Sequence, residues 1–159
     1  MQVRDTAEAL FIACEMEKRT IRLYERALAV FADGPCQEAI RAILEDERRH
    51  LARFKEMGGE ASDFVRAQLL AAQAAGVLLA GGLIEAQRRG AFDSVLRLYQ
   101  YAAEEERDAV ARYGEFASRL KGPAAAAFRQ IELEETGHLM KLNEMIRALS
   151  GQTEGGAEE

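Results

Sequence analysis

The sequence predicts an all-α chain, an antiparallel four-helix bundle of two helix hairpins joined by a long, partly helical crossover. Composition is the first observation: Ala, Leu, Glu, Arg and Gln fill the chain, Trp is absent, and Pro is limited to Pro35 and Pro123. Periodicity is the second. Apolar residues recur at steps of three and four through four long stretches, which places them on one face of a helix. The third is punctuation, because Gly34-Pro35, Gly58-Gly59 and Gly122-Pro123 fall between those stretches. A chain of 159 residues fits one domain, here 1–149, with enough length for a core.

The first helix is expected from about Thr6 to Ala32, on the stripe Leu10, Cys14, Glu17, Ile21, Tyr24, Leu28 and Phe31. Asp33-Gly34-Pro35 stops it, with Gly suited to the helix end and Pro to the next helix start. A second helix follows from about Pro35 to Met57, on Ile40, Ile43, Leu44, Glu47, His50, Leu51 and Phe54. The short turn makes the two antiparallel neighbours. Residues of about 58–91 form the crossover. Its uncharged run from Ala67 to Ile84 is rich in Ala, Gly and Gln, with Gly76 and Gly81-Gly82 inside it. That reads as a kinked or broken helical segment and not as a membrane span. The third long helix is expected from about Phe92 to Leu120, on Val95, Leu96, Tyr99, Ala102, Ala103, Glu106, Val110, Tyr113 and Leu120. The fourth runs from about Pro123 to Leu149, on Phe128, Ile131, Glu135, His138, Leu142, Met145 and Leu149. Residues 150–159, Gly- and Glu-rich without a large apolar side chain, read as a disordered acidic tail.

Polar residues interrupt these stripes at the centre of the apolar face, and they repeat. Glu17 is followed seven residues later by Tyr24, and Glu106 seven later by Tyr113. Each half then turns and supplies Glu-x-x-His, as Glu47/His50 and Glu135/His138, which use both histidines of the chain. Residues i and i+3 share a helix face, so each pair aims a carboxylate and an imidazole at one point. Four carboxylates inside an apolar bundle repel one another and are costly to desolvate. Two divalent cations balance four ionised glutamates beside two neutral imidazoles. A donor set rich in oxygen with one imidazole per metal suits iron or manganese better than thiolate-seeking metals. The predicted metal ligands, which are also the predicted catalytic residues, are therefore Glu17, Glu47, His50, Glu106, Glu135 and His138. Glu105 competes with Glu106, and the spacing to Tyr113 favours Glu106. Tyr24 and Tyr113 read either as core residues or as hydrogen-bond donors to ligand carboxylates. Glu45, Asp46, Glu104, Glu105, Glu132 and Glu134 occupy flanking positions and read as exposed charge. Cys14, one turn before Glu17, reads as an ordinary buried thiol.

The rest of the composition excludes some classes. A net charge of −6 and a pI of about 5.1, with no basic stripe, argue against nucleic acid. Cys14 and Cys36 form no C-x-x-C motif and point to a reducing compartment. The opening Met1-Gln2-Val3-Arg4-Asp5 lacks the apolar core of a signal peptide, so a cytoplasmic location is expected.

With these motifs the chain resembles the rubrerythrin branch of the ferritin-like superfamily, over roughly residues 6–149. The resemblance rests on Glu17-x6-Tyr24, Glu47-x-x-His50, Glu106-x6-Tyr113 and Glu135-x-x-His138. It implies a ferritin-like bundle holding two iron ions (manganese or zinc being alternatives), with Glu47 and Glu135 bridging, Glu17 and Glu106 terminal, and one histidine on each metal. It also implies an oxidoreductase that reduces hydrogen peroxide. Two departures qualify that activity. The family's rubredoxin domain needs four cysteines, and only Cys14 and Cys36 are present, so electrons would come from a separate donor protein. An extra family carboxylate one turn after Glu106 is replaced by Ala109, with Asp108 and Glu105 only near it. That moves weight toward slower ferrous oxidation by dioxygen or peroxide. The alternatives are ferritin-like iron oxidation and binding, and a structural metal-binding assembly module. The apolar residues 65–84 exceed what a single bundle needs, and a homodimer is expected to bury them.

Overall fold

The computed structural model describes residues 5–59, 63–74 and 82–154. Among these residues the protein is all-helical, with α1 (Thr6–Val30), α2 (Gln37–Glu56), α3 (Asp63–Ala74), α4 (Leu83–Arg88), α5 (Val95–Arg119) and α6 (Gly122–Glu154). The four long helices match the four periodic stretches. Asp5 caps α1 by accepting from the Glu8 N–H at 2.9 Å, and Ser94 caps α5 by accepting from the Arg97 N–H at 3.2 Å. The Ser94 cap explains why α5 starts after Phe92. At the other end of α1, Gln37 Nε2 donates to the Leu28 and Phe31 carbonyls at 3.1 and 2.7 Å. One side chain at the start of α2 thus caps carbonyls at the end of α1, Phe31 also accepting from the Gly34 N–H at 2.9 Å, and pins the turn.

Gly59 shows how tightly the chain leaves α2. A Cβ there would lie 2.4 Å from Cys14 Sγ and 2.8 Å from the Phe54 carbonyl, so only Gly lets the chain pass over α1 at this point. Pro123 sits in the first turn of α6, where its missing N–H costs nothing. The helix then runs past Leu149 through 150–154, residues assigned above to the tail, because no Pro stops it and Met145, Ile146 and Leu149 still pack on the core. Residues 155–159 lie outside the described residues. So do Gly76 and Gly81 of the crossover, together with Val77, Leu78 and Leu79. No helix among the described residues is long and apolar enough to cross a membrane.

Helix α1 packs along α2, and α5 along α6, so each is an antiparallel hairpin closed by a short turn. Helix α1 also meets α5 and α4. Two separate apolar clusters result. One joins Leu10, Ile12 and Met16 of α1 to Phe54 of α2, Tyr113 and Phe116 of α5, and Phe128 and Ile131 of α6. Its rings lie 5.1–5.7 Å apart, within the range of favourable aromatic contact. The other joins Leu23 and Tyr24 of α1 to Ile40, Ile43 and Leu44 of α2, Leu98, Tyr99 and Ala102 of α5, and Leu142 of α6. Each fully buried large side chain contributes roughly 1.5–3 kcal/mol to folding. The gap between the clusters is polar, and it holds the site.

Candidate metal centre

Every polar residue that interrupts a stripe is buried. Glu17, Glu47, Glu106 and Glu135 are each 1% exposed, His50 2% and His138 6%. They come from four helices: Glu17 from α1, Glu47 and His50 from α2, Glu106 from α5, and Glu135 and His138 from α6. Helical spacing places each residue on the inward face, and the apolar clusters on either side hold those faces together.

These residues form two overlapping groups. Glu17, Glu47, His50 and Glu135 offer four ligand atoms within 4.8 Å of one another, and so do Glu47, Glu106, Glu135 and His138. Glu47 and Glu135 belong to both. All six residues named from the sequence are thus brought together. Glu105 is not among them: it turns away and pairs with Arg19 at 3.0 Å, between α5 and α1.

The two tyrosines reach across the molecule. Tyr113 Oη donates to Glu17 Oε1 at 2.5 Å, and Tyr24 Oη donates to Glu106 Oε1. Each hydroxyl fixes one oxygen of a carboxylate on the opposite hairpin. Both tyrosines are also core side chains, so the two sequence readings hold together.

Two further residues, Asp46 and Glu134, belong to the site although their flanking helix positions predict exposed charge. His50 Nε2 lies 2.8 Å from Glu134 Oε2, and His138 Nε2 lies 3.0 Å from Asp46 Oδ2. Each imidazole is therefore held by a carboxylate from the facing helix, at the position just before that helix's own buried glutamate. Asp46 and Glu134 are 36% and 29% exposed, so they form the outer edge of the site. A signal was present in the sequence: both Glu-x-x-His motifs are preceded by an acid, Asp46 and Glu134.

Electrostatics in this layer are strained without a cation. Burial, and then the charges of Glu47 and Glu135, hold the Glu17 and Glu106 carboxyls well above their usual range. Burial also opposes ionisation of Glu47, but the neighbouring imidazoles of His138 and His50 outweigh it and bring its carboxyl down to about 2. Burial would likewise lower His50, yet Glu135 and Glu47 push it up to about 10. His138 is raised further, by Glu106, Glu135 and Glu47 against the same burial. Glu17 Oε2 and His50 Nδ1 are buried and make no hydrogen bond. Glu47 Oε1 lies 2.9 Å from His138 Nδ1 but accepts no well-aligned bond. Orphaned polar atoms of this kind are costly to bury, and divalent cations would satisfy all three at once. Nδ1 of each histidine faces the buried carboxylates and Nε2 faces an outer one, so a cation taken up at Nδ1 would leave Nε2–H to donate outward. The donor set therefore fits two hard or borderline divalent cations.

Comparison with protein-family models, with curated proteins and with solved structures returns no match.

Proposed function

We propose that this chain is a rubrerythrin-like member of the ferritin-like four-helix bundles that uses two iron ions to reduce hydrogen peroxide, with electrons from a separate donor protein. The observation that carries this reading is the pair of four-ligand groups sharing Glu47 and Glu135. Two ions held by shared carboxylates would be close enough to act on one O–O bond. When bound, two ferrous ions supply two electrons, which with two protons convert one hydrogen peroxide to two waters. The protein's part is positional. Glu17, Glu47, His50, Glu106, Glu135 and His138 would hold the ions, with Glu47 and Glu135 common to both groups and each histidine presenting Nδ1. Tyr113 and Tyr24 orient the terminal glutamates by donating to one oxygen of each. Asp46 and Glu134 accept from the outer imidazole nitrogens and keep the inner ones directed at the carboxylates. The apolar clusters on both sides keep bulk water out of the layer.

Anaerobic mixing of the diferrous protein with hydrogen peroxide tests the activity. Oxidation much faster than with dioxygen is expected; equal rates would remove the peroxidase reading and leave ferrous oxidation. Ala109 favours that second reading. It borders the aromatic cluster one turn after Glu106, where the resembled family carries a further carboxylate. A structural metal-binding module is the third reading. Protein purified from its native host with zinc at full occupancy and no redox response would select it.

A further inference from the structure

Helix α6 is apolar on two opposite faces. Inward it buries Phe128, Ile131, Glu135, His138 and Leu142. Outward it carries Leu133 at 72% and Met140 at 60% exposure, with Gly137 between them and open space where its Cβ would stand. A helix that is apolar on both sides is normally covered on both. No described element covers this one. At 3.6 residues per turn, Arg129, Leu133, Gly137, Met140 and Glu144 fall within roughly 80° of arc, so they form one continuous strip.

The strip is complementary to itself. An antiparallel copy related by a twofold axis between Thr136 and Gly137 sets Leu133 against the partner's Met140, and Met140 against the partner's Leu133. The same register sets Arg129 against the partner's Glu144, and Glu144 against the partner's Arg129. Charge complementarity follows from the register that the apolar pair selects. Neither Arg129 nor Glu144 forms an ion pair among the described residues, and both are exposed. The missing side chain of Gly137 lies at the crossing point, where helix axes pack about 8–10 Å apart. We propose that the outer face of α6 is a homodimer interface in which α6 pairs with its twofold copy in this register. The interface is isologous, each patch meeting itself. It differs from the surface over residues 65–84 expected from the sequence.

Sedimentation equilibrium of the full chain tests the pairing, with circular dichroism confirming that each variant stays helical. The wild type is expected to be a dimer at micromolar concentration. Leu133→Glu and Met140→Glu should each raise the dissociation constant about thirtyfold or more, as for a central apolar contact. Arg129→Glu and Glu144→Arg should each weaken the dimer about tenfold, and the double variant R129E/E144R should restore it. A wild-type monomer at micromolar concentration, a dimer untouched by Leu133→Glu and Met140→Glu, or a double variant no tighter than its singles would each overturn the proposal.

Discussion

The half of the site around His50 and the half around His138 use the same residue types at the same spacings, yet they close differently. His138 Nδ1 lies 2.9 Å from both Glu47 and Glu135. His50 Nδ1 stands off at 3.3 Å from Glu135, 3.8 Å from Glu47 and 3.9 Å from Glu17, and makes no hydrogen bond. Glu17 Oε2, in the same half, is also orphaned. One half has drawn in around the imidazole, while the other keeps its donors directed at a common centre. The difference shows what a cation would change: it would replace a proton and short contacts in one half, and fill unmet polar atoms in the other. On this comparison the first metal equivalent should enter the His50 half, which gives up less to accept it.

Removing what the halves share should have the largest effect. Glu47→Gln keeps the side-chain volume but cannot bridge two ions, and it should reduce ferrous binding from two equivalents to one or none, with at least a ~100-fold loss of affinity by anaerobic titration. His50→Ala and His138→Ala should come next, each leaving about one tight equivalent. If either substitution abolished both, the halves would not be separable. The holding carboxylates should act crosswise and less strongly. Asp46→Asn should weaken the half that contains His138, and Glu134→Gln the half that contains His50, each by roughly 10–100-fold. Equal effects of both variants on a single metal would contradict the crossed arrangement.

The pH response of stability distinguishes the halves least but tests their common electrostatics. In the metal-free protein, His50 is held at about 10 and His138 is raised as well, while Glu17 and Glu106 sit well above 4.5. Each binds its proton more tightly folded than unfolded. Their stabilisation is complete below the unfolded values and is lost as pH rises, from 4.5 upward for the glutamates and from 6.5 to about 10 for His50. Glu47 runs the other way: lowered to about 2, it stabilises above 4.5 and that contribution disappears as pH falls toward 2. The metal-free melting temperature should therefore drop by roughly 5 °C or more between pH 6.5 and 10. Metal requires deprotonated ligands, so loading should abolish that drop and should itself weaken in acid. A metal-free protein whose stability rises over the same range would contradict this balance.

The helices and the six buried site residues were legible because they depend on spacing along one chain segment. Steps of three and four fix a face, and Gly34-Pro35, Gly58-Gly59 and Gly122-Pro123 fix the breaks. Glu106 was separable from Glu105 by the same means, since one residue of shift turns a side chain by about 100°. Asp46 and Glu134 were not legible in that way. Spacing places them at the flank of their own helices, and their role depends on what the facing helix brings within 3.0 Å. The end of α6 departs from the composition for a related reason. Composition marked 150–154 as tail, but Met145, Ile146 and Leu149 still anchor the helix to the core, and Gly151 within it is tolerated. The surface of α6 was hidden behind its inward stripe, because Leu133 and Met140 are off that period.

Anomalous diffraction at the iron edge, from crystals of the protein loaded with ferrous ion, tests the central claim most directly. Two peaks are expected, about 3.5–4 Å apart, each within bonding distance of Glu47 and Glu135, with His50 beside one and His138 beside the other. A single peak, or iron bound away from Glu47 and Glu135, would contradict the two-metal centre.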